Sequence, residues 1–176
     1  MPSTYQLISS NILSSTTASV TFSAIPSTYT DLVIKASVQT TRAAAGTDYL
    51  FMQFNSTTSG YSGIQLYGTG GNSTVNSTLD TASTFVIGPE INTSGLSSTV
   101  FSNLESYIPS YTSSSNKQIS IDSAEELGDA PAYRYLQSNK VPVTAAVTSI
   151  LLRPSTYYSA SWVAGSSFYL YGIKNS

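Results

Sequence analysis

Nucleophilic and acid–base chemistry have few places to begin in this chain. Its 176 residues include no His and no Cys, which removes the commonest general base, the commonest metal ligand and every thiolate. Serines are abundant, but a serine nucleophile needs a base to take its proton. Only Lys35, Lys117, Lys140 and Lys174 are left for that role, on strand or loop positions. Paired carboxylates in a cleft would suit glycoside hydrolysis. The acids are Asp31, Asp48, Asp80, Glu90, Glu105, Asp122, Glu125, Glu126 and Asp129. Glu125 and Glu126 are adjacent, so on a strand they point to opposite faces and read as separate solvated charges. Asp122, Glu125, Glu126 and Asp129 offer hard oxygens to a calcium ion, but without EF-hand spacing they read as an acidic loop. Gly68-Thr69-Gly70-Gly71 lacks the Lys-Ser/Thr ending of a phosphate loop. The expectation is a protein that is not an enzyme and holds no metal or cofactor.

Aromatic residues carry more information. There are 13 Tyr, 6 Phe and one Trp. A tyrosine packs its ring and still uses its hydroxyl, which suits both a core rim and a contact surface. Tyr107, Tyr111, Tyr157, Tyr158 and Trp162 fall at loops or strand ends, where a core role is less obligatory, and are the candidate partner-binding residues. Tyr169 and Tyr171 alternate against Phe168 and Leu170 and face the opposite side of their strand. Asn55, Asn72, Asn76 and Asn92 each begin an Asn-x-Ser/Thr triplet, a pattern that chance supplies in a chain so rich in Ser and Thr.

The elements that must position these residues are strands. Apolar residues alternate at Leu32, Ile34, Ala36 and Val38, and again at Leu50, Met52 and Phe54. Val100, Leu104 and Ile108 share a face with Ser102 and Ser106. Ile119, Ile121, Ile150 and Leu152 continue the pattern, and Ser167–Ile173 closes it. Shorter candidates are Tyr5–Ser9, Ala18–Phe22, Gly63–Tyr67, Thr84–Gly88 and Tyr133–Gln137. Turn signals such as Ser59-Gly60, Gly88-Pro89 and Gly128-Asp129 separate them. The spacing predicts one all-β domain over 1–176, a jelly-roll-like β-sandwich that is mostly antiparallel. Gly68–Asp80 reads as the longest irregular stretch and a protruding loop. Asp122–Leu127 reads as a loop or strand end.

Charge is sparse, with 9 acids and 7 bases for a net charge of −2. Seven scattered cations do not make the basic surface that nucleic acid requires. No apolar run is long enough to cross a bilayer. Met1–Tyr5 lacks the features of a secretory signal, so the expected site of synthesis is a cytoplasm.

Two segments resemble small structural proteins of tailed bacteriophages, cyanophages among them. One is Ile25-Pro26-Ser27-Thr28-Tyr29-Thr30-Asp31-Leu32-Val33-Ile34, and the other is the closing Gly165–Lys174. Thr4–Ser10, Tyr107-Ile108-Pro109 and Asn116-Lys117 share the likeness. The resemblance implies a virion protein with a jelly-roll-like sandwich, and its motifs contain no catalytic residue. Shaft repeats are lacking, which favours a capsid decoration or cement protein over a tail fibre. Implied partners are the major capsid protein and further copies of the chain, as a trimer, at the capsid surface of a virion assembled in the host cytoplasm. A carbohydrate-binding module, or a receptor-binding tail component that takes a host glycan, is the alternative.

Overall fold

Alternating apolar residues give each strand one face to bury, and the chain satisfies them by stacking two sheets. The computed structural model describes residues 4–43, 46–71, 75–97, 99–127 and 130–174. Its strands are β1 (Tyr5–Ile12), β2 (Val20–Phe22), β3 (Asp31–Val38), β4 (Asp48–Phe54), β5 (Tyr61–Thr69), β6 (Val75–Ser83), β7 (Val86–Ile91), β8 (Ser102–Ile108), β9 (Lys117–Leu127), β10 (Ala130–Val141), β11 (Ile150–Pro154) and β12 (Ser167–Ile173). The large sheet runs β1-β12-β3-β8-β9-β10-β5-β6 and the small sheet β2-β11-β4-β7. Neighbouring strands in both sheets are antiparallel. The chain is an all-β sandwich.

The pairing is nested. β1 pairs with β12, β2 with β11, β3 with β8 and β4 with β7. These strands make a double ribbon whose successive pairs fall in alternate sheets. Two hairpins, β5–β6 and β9–β10, are inserted into it and pair with each other through β5 and β10. They extend the large sheet well beyond the small one.

Between the sheets lies a core of Leu32, Ile34, Val38, Leu104, Ile108, Phe168 and Leu170, packed against Val20, Phe22, Leu50, Met52, Phe54, Ile150 and Leu152. Fully burying each such side chain is worth about 1.5–3 kcal/mol. Ser102 and Ser106 share the inward face of β8 with Leu104 and Ile108, as their spacing predicts. Tyr29 lies directly on Gly172, where a Cβ would fall 2.3 Å from the ring. Only glycine admits so close an approach.

Two ends of the sandwich are plugged by residues that sequence reading assigns to a partner surface. Trp162 is fully buried, with its ring edge-on to Phe168 at 5.3 Å. Its indole N–H donates to the Leu152 carbonyl at 3.3 Å. Tyr111 is also fully buried, and its hydroxyl donates to the Pro26 carbonyl. Both sit in loops, but those loops fold back across open core ends, where a large amphipathic ring is the best available lid. Neither is open to a partner.

One further expectation needs correction. Within Gly68–Asp80, residues 68–69 and 75–80 belong to β5 and β6 and are not a protruding loop, and residues 72–74 lie outside the described residues. Asn76, Ser77 and Thr78 look irregular in sequence, but ladder pairing with β5 holds them extended. Asp122–Leu127, read as a loop or strand end, is the strand end: it forms the second half of β9, held by β10 and, as far as Ala124, by β8.

Lys117 is a buried cation without a carboxylate partner among the described residues. Its ammonium donates to the carbonyls of Ser113 (2.7 Å), Ser115 (2.6 Å) and Val143 (2.9 Å), and burial lowers its pKa. Ser114 and Lys117 have the spacing of a Ser–Lys nucleophile pair, a pattern the sequence reading passes over. Three carbonyl acceptors favour the charged ammonium, so Lys117 serves as a clamp between two loops and not as a base. Lys117→Met should lower the unfolding free energy in urea by about 2–4 kcal/mol, because three acceptors lose a charged donor.

Candidate functional site

The outward face of the small sheet carries an aromatic cluster. Tyr49 and Phe51 point outward from β4, opposite in phase to Leu50 and Met52, and Phe51 is itself buried beneath the cluster. The loop after β11 folds over them and lays Tyr157 edge-on to Phe51 at 5.5 Å and to Tyr49 at 6.3 Å. Tyr158 meets Tyr157 at 6.3 Å, and Phe85 stacks on Phe51 at 5.3 Å. Arg42 lies over the Tyr158 ring, 3.6 Å from its centroid, and Arg153 over Phe85 at 5.4 Å. Both arrangements are cation–π contacts.

Asp48 anchors that loop. Its carboxylate accepts from the Ser155 hydroxyl at 2.5 Å and from the Tyr49 N–H at 2.7 Å. Tyr157 remains 62% exposed and Tyr158 41% exposed. Their rings are held on one side and bare on the other, as in an interface anchor.

Beside Tyr157 opens a cavity of about 260 Å³, at the gap between β7 and the inserted hairpins. Tyr49, Tyr67 and Tyr157 wall it, and Gln65, Asp80 and Glu90 supply polar groups. Glu90 accepts from the Tyr49 hydroxyl at 3.2 Å and from the Thr47 hydroxyl. Burial and the Glu90 charge push the Tyr49 hydroxyl up to about 12. Burial raises the Asp80 carboxyl.

Behind this cavity the sandwich interior is polar. Gln65, Gln137, Asn139 and Glu125 are buried. Tyr67, Tyr135 and Tyr133 stack in a row, with centroids 5.7 and 6.0 Å apart. The Gln137 amide donates to Gln65 Oε1. Neither oxygen of Glu125 has a hydrogen-bond partner. Burial, with the Glu90 charge added, pushes its carboxyl up to about 8, so it is mostly protonated at neutral pH. Alternation along β9 turns Glu125 inward and leaves Asp122 on the outer face, where it pairs with Arg134 at 2.6 Å. The four acids of the expected acidic loop are therefore split, with Asp129 outside the described residues. Among the described residues no three potential ligands gather as a metal site.

Tyr107 is apart from the cluster, on the outer face of the large sheet. It is 37% exposed and donates its hydroxyl to Asp31 at 2.9 Å. The same face holds a shallow concavity of about 590 Å³ lined by Tyr169, Tyr171 and the Lys35–Glu105 pair. Tyr169 and Tyr171 stack there at 6.5 Å, on the side opposite Phe168 and Leu170 as expected.

Of the five candidates, then, Tyr157 and Tyr158 come together, Tyr107 stands alone, and Tyr111 and Trp162 are core. Sequence reading misses Arg42, Tyr49, Phe51 and Phe85. The outward phase of Tyr49 and Phe51 against Leu50 and Met52 is the signal that marks two of them. Two Asn-x-Ser/Thr triplets prove structural. Asn92 is buried and donates to the carbonyls of Val100 and Glu126, both at 3.0 Å. Asn55, at φ +47°, accepts from the Thr148 and Ser149 N–H groups. Asn72 lies outside the described residues.

Comparison of the chain with protein-family models, with curated proteins and with solved structures finds no match in any of the three.

Glu125 makes stability depend on pH. Its folded pKa lies above the ordinary 4.5, so its contribution is complete below about pH 4.5 and is lost as pH rises towards 8. Glu125→Gln should flatten that decline. The gain at pH 8 should be on the order of a few kcal/mol in denaturant titrations, with little change at pH 4.

Proposed function

We propose that this chain is a structural protein of a tailed-phage virion, a decoration protein that docks on the major capsid protein of the assembled shell. The observation that carries this reading is the Tyr157–Tyr158 cluster braced by Arg42. Tyr and Arg dominate the energetically decisive positions of protein interfaces, and here their rings are fixed before any partner arrives. Pre-ordering of this kind reduces the entropy lost on binding.

Supporting it are the segment resemblances at Ile25–Ile34 and Gly165–Lys174 and the nested ribbon. The nested ribbon supports a jelly-roll-like reading of the sandwich, a layout used by viral capsid and lectin domains. Fold alone does not assign function, so the weight rests on the aromatic cluster. In this reading the protein binds a surface that exists only once shell subunits are adjacent. Binding that form alone stabilises it by mass action. Several linked copies multiply the effect through effective concentration. No step needs a catalytic group, cofactor or metal, and the location is the capsid surface.

A second reading is favoured by the cavity beside Tyr157. Tyrosine walls and the Asp80, Glu90 and Gln65 acceptors suit a host glycan, whose rings stack on aromatics and whose hydroxyls donate to carboxylates.

Co-sedimentation with assembled shells separates the two. Tyr157→Ala combined with Tyr158→Ala should weaken shell binding roughly 100-fold or more while leaving the melting temperature nearly unchanged. Undiminished binding would reject the docking surface. Glycan-array hits abolished by Glu90→Gln would move the second reading ahead.

A further inference from the structure

The two edges of the large sheet are unusually bare. Among the described residues, β1 and β6 each have a strand partner on one side only. β1 carries no charged residue and no proline, and β6 carries only Asp80. One register shift interrupts β1 between Leu7 and Ser9 and another falls between Asp80 and Ser83 of β6, but long edges this poor in charge and without proline are templates for further strand pairing. The small sheet differs. Its edge strand β2 has 3 residues, and β7 contains Pro89 and Glu90. The protein therefore guards one sheet and leaves the other open.

Apolar side chains mark both open edges on the same face. Leu7 is 51% exposed and Ile12 68%, while Val75 is 70% and Leu79 69%. Cross-strand register places them in matching rows. One row passes from Leu7 through Tyr171, Val33, Tyr107, Ser120, Ser138 and Ile64 to Leu79. Another begins at Ile12 and ends at Val75, crossing Ser37, Ala124 and Gly68. The middle of the face is charged, with the Lys35–Glu105 and Arg134–Asp122 pairs. Apolar exposure is thus concentrated at the two margins.

We propose that β6 of one copy pairs antiparallel with β1 of the next, so that the large sheet continues from chain to chain. An antiparallel sheet with an even number of strands ends on strands of opposite direction, so β6 beside the next copy's β1 keeps the alternation. The row register then sets Leu79 against Leu7 and Val75 against Ile12 of the neighbour, the extra residue of β1 being taken up by its bulge between Leu7 and Ser9. Directly opposed side chains of this type lie close enough to pack. The contact is heterologous, with different surfaces meeting, and such contacts close into rings or grow as open chains. Leu66, Leu136 and Ile64, outward-facing on the inserted hairpins, widen the apolar margin next to the junction. The association depends on the large sheet alone and is independent of what the small-sheet cluster binds.

Light scattering after size exclusion of the full chain tests this. The protein should run as a closed oligomer or a distribution of open chains, and Leu7→Lys and Leu79→Lys should each run as monomers with unchanged circular dichroism. An equimolar mixture of the two variants should give dimers, because one intact β6 meets one intact β1. A wild-type monomer at all concentrations overturns the proposal. So does an oligomer that survives Leu7→Lys, which would mean that β6 meets its own copy. Hydrogen exchange without mutation gives a second readout. Amides of β1 and β6 should lose protection on dilution, and concentration-independent exchange there overturns the proposal. Tyr157→Ala should leave all of these results unchanged, so failure here and failure of shell docking are distinguishable.

Discussion

The pairing of β12 with β3 on one side and β1 on the other is the interaction from which the rest of the structure follows. It ties the last described strand to an early one and places Phe168 and Leu170 in the middle of the core. It also brings Gly172 under Tyr29. Once β12 is placed, β11 must cross to the other sheet, and β2 and β4 align on either side of it. The nested ribbon is built almost wholly of contacts distant in sequence, an arrangement that folds slowly for its size because loop closure precedes its reward. The loops at the sandwich ends then need lids, which explains why Trp162 and Tyr111 are buried and why Lys117 is held by three carbonyls.

The inserted hairpins follow a different logic. On β5 and β10 the inward faces join apolar and aromatic Tyr61, Tyr135 and Val141 to polar Gln65, Gln137 and Asn139, while Ile64, Leu66 and Leu136 face out. That departs from the usual amphipathic strand, in which the buried face is apolar. The small sheet does not extend far enough to cover this region with an apolar layer. Polar side chains and a tyrosine stack fill the gap instead, and Glu125 keeps a proton because nothing there stabilises its charge. The price is imperfect hydrogen bonding inside, a tolerated cost at functional regions more often than at purely structural ones.

Two surfaces of different character therefore lie on separate sheets. The small sheet presents a rigid aromatic cluster whose rings are braced by Arg42 and Asp48. The large sheet presents bare edges whose apolar rows match. In the proposals above, shell docking uses the first and self-association the second, on separate faces, so that one contact would not obstruct the other.

Strand content, antiparallel pairing and the absence of helix among the described residues were legible in the alternation of residues such as Leu32–Val38 and Ser167–Ile173, because period-two patterning is a local consequence of one buried face. The outward turn of Tyr169 and Tyr171 was legible for the same reason. β6 was not, since Val75–Ser83 has no alternation strong enough to outweigh its Ser, Thr and Asn, and only the ladder from β5 makes it a strand. The fates of the candidate aromatics were equally invisible. Tyr111, Tyr157, Tyr158 and Trp162 are all loop residues of similar chemistry, and burial separates them by which loop crosses a core end and which lies on a sheet face. Amino-acid order by itself determined that this chain would be layered β structure poor in conventional catalytic groups. Tertiary structure alone decided which aromatics became core and which surface, because burial depends on what the distant parts of the chain bring alongside.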